Sequence, residues 1–135
     1  MRIGKITVAG VMLAGVVAAA AAQQPTFSRV ILQQVDISVP GREAVTAAVT
    51  LPPSVASGRH THPGEEIGYV LEGTIMLEQE GKPTTILEAG KAFLIPANTV
   101  HNATNHGTTT AKVLANYVVE KGKPLATPVT GPAKQ

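Results

Sequence analysis

His60-Thr61-His62-Pro63-Gly64-Glu65-Glu66-Ile67-Gly68-Tyr69-Val70-Leu71-Glu72-Gly73 is the stretch that decides the fold. Side chains of an extended strand alternate between faces, so His60 and His62, two apart, aim the same way. Pro63-Gly64 is a turn signal, and Glu66 lies just past it, able to fold back toward the histidines. A third histidine, His101, lies in a second stretch, residues 90–105. Three imidazoles and one carboxylate form a donor set suited to a borderline divalent transition metal.

Outward from this stretch the chain reads as short strands punctuated by Gly and Pro. Strands are predicted over residues 29–36, 44–51, 59–62, 66–71, 74–80, 83–87, 91–95, 99–104 and 109–120. Pro40-Gly41, Pro52-Pro53, Glu80-Gly81-Lys82, Ala89-Gly90 and Asn105-His106-Gly107 supply the turns. No window carries a 3.6-residue period and no segment repeats. The pattern predicts an all-β sandwich or barrel in a single domain.

Composition agrees. A chain of 135 residues has two Phe, two Tyr and no Trp, and part of its 44% hydrophobic content lies in the Ala-rich first 22 residues. The remaining core must rest on Val, Ile and Leu, which favour strands. Cysteine is absent. That excludes disulfides, thiolate metal sites, a cysteine nucleophile and a lipid-anchored cysteine.

The N-terminus reads as a secretory signal peptide over residues 1–22. Arg2 and Lys5 form a basic start, residues 6–17 an uncharged apolar run, and Ala20-Ala21-Ala22 a small-residue cleavage site before Gln23. A secreted or periplasmic location is expected. The run is short for a membrane span, so membrane contact is expected only through an uncleaved leader. The formal charge of +2 comes from 11 basic and 9 acidic residues, and Arg2 and Lys5 leave with the leader. The mature chain is therefore neutral, has no basic cluster to track a phosphate backbone, and is not expected to bind nucleic acid. The domain is expected over residues 23–120. The Pro/Gly-rich tail, residues 121–135, is expected to be flexible or draped over the surface.

These residues carry a resemblance to the cupin superfamily. His60, His62, Glu66 and Gly73 resemble its first motif, whose spacing selects Glu66 rather than Glu65 as the ligand. Gly90, Pro96, His101 and Asn105 resemble the second motif. The usual glycine two after the proline is Asn98 here, a residue that also tolerates left-handed turns. Residues 74–89 between the motifs suffice for one hairpin. The resemblance implies a small antiparallel jelly roll in one copy, with His60, His62, Glu66 and His101 holding a metal inside the barrel mouth. Fe(II) or Mn(II) is the expected ion, with Zn or Ni as alternatives.

Four ligands would leave open positions for water, oxygen or a chelating substrate, whereas structural zinc sites are more often closed and tetrahedral. Gly68 and Val70 share the inward parity of Glu66. Phe93 and Ile95 occupy positions that commonly face the interior in this family. Asn116 and Tyr117 are the polar pocket candidates on the last long strand, and parity allows only one of them inward. If Glu66 faces in, Ile67, Tyr69 and Leu71 face out, as a homodimer interface or as a surface packed under a loop or the N-terminal strand.

Three functions fit. The first is a metal-dependent oxygenase acting on a small molecule. The second is a non-redox isomerase, lyase or decarboxylase acting on a sugar acid or keto acid, with Tyr117 or a metal-bound hydroxide as base. The third is a binding module without turnover.

Overall fold

Strand alternation is carried through completely in the two longest strands. In β2 (Arg42–Leu51) every second residue from Glu43 to Leu51 is buried. In β9 (Ala111–Glu120) the buried set is Ala111, Val113, Ala115, Tyr117 and Val119. The two pair antiparallel over their full length, and their inward residues form one half of the core. Burying each Val or Leu contributes about 1.5–3 kcal/mol.

The computed structural model describes residues 23–131, and the expected leader lies outside them. The other strands are β1 (Ser28–Asp36), β3 (His60–Thr61), β4 (Gly64–Glu72), β5 (Thr74–Gln79), β6 (Thr85–Glu88), β7 (Ala92–Ile95), β8 (His101–Thr104) and β10 (Thr127–Pro128). They form two five-stranded sheets with orders β1-β2-β9-β4-β7 and β10-β3-β8-β5-β6. All named pairings are antiparallel, and no helix forms among the described residues. The sheets face each other across the core, where Ile75 of β5 packs with the inward side chains of β2, β9 and Val70 of β4. The result is the all-β jelly roll expected from the turn pattern.

The chain crosses from one sheet to the other at the decisive stretch. Residues 60–61 belong to the second sheet and residues 64–72 to the first, with Pro63 between them. Gly64 is required here: a Cβ would lie 1.9 Å from the carbonyl oxygen of Val118 on β9. Asn98, in place of the glycine usual in the second motif, adopts φ 59°.

Of the two states expected for the tail, flexible or draped over the surface, its described part takes the second: exposed β10 pairs with β3, placing Thr127 opposite Thr61 and Pro128 opposite His60. Strand β1 is at the sheet edge and leaves Val30, Leu32 and Val35 about half exposed. It is separated from β4 by β2 and β9, so it does not cover Ile67, Tyr69 or Leu71. Those three stay exposed on the outer face, beside Leu94.

Candidate metal centre

His60 opens β3 and pairs directly across the sheet with His101 at the start of β8. His62 lies in the crossing between the sheets. Glu66 stands on β4 of the other sheet, opposite Tyr117 on β9. The fold thus draws groups from both sheets into one buried space. The ring centroids of His60 and His101 are 4.2 Å apart, those of His60 and His62 4.8 Å, and those of His62 and His101 5.0 Å. A nitrogen of each ring lies within 4.8 Å of the others, a spacing that could hold a metal ion.

Backbone carbonyls set the tautomer of all three rings. The Nδ1 of His60 lies 2.7 Å from the Gly58 carbonyl oxygen, that of His101 2.9 Å from Thr99, and that of His62 2.5 Å from Leu125. A carbonyl only accepts, so each Nδ1 carries the proton and each Nε2 presents a lone pair to the common space. This is the usual outer support of metal-ligating histidine.

Glu66 completes the ring of acceptors. Its Oε2 lies 3.0 Å from His62 Nε2 and 3.3 Å from His101 Nε2. Neither nitrogen has a hydrogen-bond partner, and both are buried. Burial raises the Glu66 carboxyl; in the metal-free site His101 and His62 outweigh it when their Nε2 atoms carry a proton and donate to the carboxylate, which holds the group at about 2. Burial lowers His60 to about 4; the Gly58 carbonyl opposes this, and the neighbouring His101, His62 and Arg29 reinforce it. The His62 and His101 nitrogens and the anionic Glu66 carboxylate converge with no other donor between them, which leaves buried groups unpaired at about 1–3 kcal/mol each, while His60 Nε2 has the Arg29 guanidinium. A cation relieves this, and the donor set fits a divalent transition metal.

Of the pocket residues expected from the sequence, Phe93, Ile95 and Tyr117 line a small internal cavity of about 30 Å³ with His60, Glu66 and His101. Gly68 faces inward and is covered by the Phe93 ring. Val70 also faces inward, but it is fully buried in the hydrophobic core rather than in the cavity wall. Asn116 corrects the list: it points to the outer face of β9, where its Oδ1 accepts a hydrogen bond from Thr46. The strict alternation of β9 gives the inward place to Tyr117 instead. Asn105 is structural, its side-chain amide tied to the carbonyls of Leu51 and Thr109. Glu65 is exposed on the outer face.

Two contributors escaped the sequence reading. The Leu125 carbonyl is a backbone group, and no side-chain pattern announces it. Arg29 on β1 also reaches the cavity, its Nη2 3.3 Å from His60 Nε2 and its guanidinium 5.7 Å from the Tyr117 ring centroid.

The comparisons agree with this architecture. A cupin domain model matches residues 47–120. No curated protein matches the chain. Among solved structures, the TT1209 protein of Thermus thermophilus is 22% identical with a TM-score of 0.60, covering 70% of this chain and 84% of its own. An oxalate oxidase in complex with the substrate analogue glycolate is 26% identical with a TM-score of 0.53, over 55% of this chain. The DMSP lyase DddQ of Ruegeria pomeroyi is 20% identical with a TM-score of 0.64, over 76% of this chain. The chain spans 41% of the oxalate oxidase and 51% of the lyase. A family match over more than half the sequence, a two-sheet jelly roll and a three-histidine cluster at its interior meet in one conclusion: the chain belongs to the cupin family.

Proposed function

We propose that this cupin is a metal-dependent, oxygenase-like enzyme acting on a small molecule outside the cytoplasm. His60, His62, His101 and Glu66 hold one Fe(II) or Mn(II) ion. The observation that carries the reading is the clustering of three imidazoles, each with its Nδ1 fixed by a backbone carbonyl, with the Glu66 carboxylate against two of them. Such an ion supplies Lewis acidity and open positions at which oxygen and substrate meet.

The chain's own residues do the rest. Leu77, Phe93 and Ile95 give the cavity apolar walls that exclude water. Tyr117 is held protonated, because burial and then the Glu66 charge push its phenol well above the ordinary value. It therefore serves as a donor and not as a base. That removes Tyr117 as the base of the isomerase and decarboxylase readings and leaves only a metal-bound hydroxide for that role. The oxalate oxidase similarity supports the oxygenase-like reading.

The enzyme works as a homodimer joined through the outer face of β4, where Ile67, Tyr69 and Leu71 lie beside Leu94.

The test is elemental analysis of protein purified without air, followed by oxygen uptake with candidate substrates. Near-stoichiometric iron or manganese with substrate-dependent uptake supports the proposal. Zinc or nickel with anaerobic turnover replaces it with the non-redox reading. Ligand binding without product replaces it with a binding module.

A further inference from the structure

We propose that Arg29 makes the pocket selective for a small carboxylate, bound between its guanidinium and the metal centre. The inference rests on the metal-centred reading above and names the class of ligand that site would take.

Arg29 enters from β1 through the inward register position opposite Val49. Its surroundings are unusual for a cation. Phe27 lies on one side, with the guanidinium 5.3 Å from the ring centroid, and Tyr117 on another. Among the described residues no carboxylate lies within ion-pair distance of it. Its Nε is buried without a hydrogen-bond partner, and so is the hydroxyl of Tyr117, a residue only 1% exposed. Two unpaired donors thus border one cavity. An acceptor-only ligand satisfies both, and a carboxylate is the commonest such group of matching geometry.

Among the described residues, the one side-chain hydrogen-bond partner of the Arg29 guanidinium is His60 Nε2, at 3.3 Å. That nitrogen has a single lone pair, because its Nδ1 is committed to Gly58. The lone pair can serve Arg29 or a metal ion, not both. Once it is used for the ion, the guanidinium lacks an acceptor and faces a second positive charge. A carboxylate between them resolves both problems. The fork of a guanidinium matches carboxylate oxygens better than an ammonium does, so arginine suits the position more than lysine.

The experiment is a calorimetric titration of protein loaded with one equivalent of Co(II), using lactate, acetate and lactamide. Lactamide keeps the hydroxyl and carbonyl oxygens of lactate, and in place of the second carboxylate oxygen it has an uncharged NH2 donor. Wild-type protein is expected to bind lactate at least about tenfold more tightly than lactamide. Arg29→Gln should lose that preference at unchanged cobalt content and unchanged cobalt absorption before ligand is added, and Arg29→Lys should keep part of it. Equal binding of lactate and lactamide by the wild type overturns the proposal, whether or not the variants fold. So does undiminished lactate affinity in Arg29→Gln, or no binding of lactate or acetate by the wild type. If the wild type takes up no cobalt, the metal-centred reading fails separately. The same titrations on metal-free protein then decide the role of Arg29.

Discussion

The Nδ1 of His62 is bonded to the backbone carbonyl of Leu125, 2.5 Å away in space and 63 residues later in the chain. A segment that composition alone would assign to a loose tail therefore orients a histidine of the central cluster. Deleting residues 123–135 should lower metal affinity about 10–100-fold while the barrel still folds. Leu125→Ala in the full chain keeps the carbonyl and should bind metal nearly as well as the wild type. Competition with a chromogenic chelator measures both.

The two adjacent carboxylates separate cleanly. Glu66 points into the cluster and Glu65 into solvent. Glu66→Ala should lose most of the bound metal and Glu65→Ala should keep it. His101→Ala should also lose metal, with a circular dichroism spectrum close to that of the wild type. Metal retained by Glu66→Ala and lost by Glu65→Ala would reverse the assignment.

Acid should weaken the metal-free protein before it protonates the carboxylates. The His60 imidazole falls from its ordinary 6.5 to about 4 in the fold, so the unfolded chain binds the extra proton between those values. Stability therefore declines as pH falls through that window, by about 3 kcal/mol. Glu66, held at about 2, adds a further loss below its ordinary 4.5. Urea unfolding followed at pH 7, 5.5 and 4 checks the sign. A stability that rises on acidification to pH 4 would contradict a buried neutral His60.

Gly68 and Phe93 are cross-strand partners, and a Cβ at Gly68 would lie 2.0 Å from the Phe93 ring. Gly68→Ala should therefore destabilise the protein by about 1–3 kcal/mol and push the ring from the cavity wall. Phe93→Ala removes the clash, so in that background the added methyl should cost much less. A double-mutant cycle by thermal or urea unfolding reads the coupling.

The outer face of β4 gives a separate prediction. Tyr69 is 45% exposed between Ile67 and Leu71. Tyr69→Asp should convert a dimer to a monomer in sedimentation velocity without changing metal content. A wild type that sediments as a monomer would remove the homodimer from the proposal.

Much of this architecture was legible in the residues themselves. The His60/His62 spacing, the Pro63-Gly64 turn and the Val/Thr-rich alternation of residues 44–51 predicted strand, turn and strand, with boundaries shifted by only a residue or two; that the turn carries the chain from one sheet to the other was not predicted. Asn98 was readable as a left-handed position because its short side chain tolerates that backbone. The Asn116/Tyr117 choice was narrowed by parity but needed the buried register of β9 to settle. Arg29 was hidden because parity fails in its strand, where an irregularity between Ile31 and Gln33 shifts the register. The carbonyls that fix the histidine tautomers belong to the backbone, which a list of side chains does not describe.

That same irregularity bears on how anything enters. A cavity of about 30 Å³ has little more room than a water molecule occupies, so a ligand needs part of the wall to give way. Strand β1 is bonded along one edge only, and the break in its ladder divides it into two short segments. The first segment holds Arg29 at the cavity, with Phe27 just ahead of it, while the second stays zipped to residues 43–46. Bonded only to β2 and cut short by the irregularity, that first segment is the part of the wall with least to hold it; its yielding would cost the Arg29–His60 contact and leave the pairing of His60 with His101 in place.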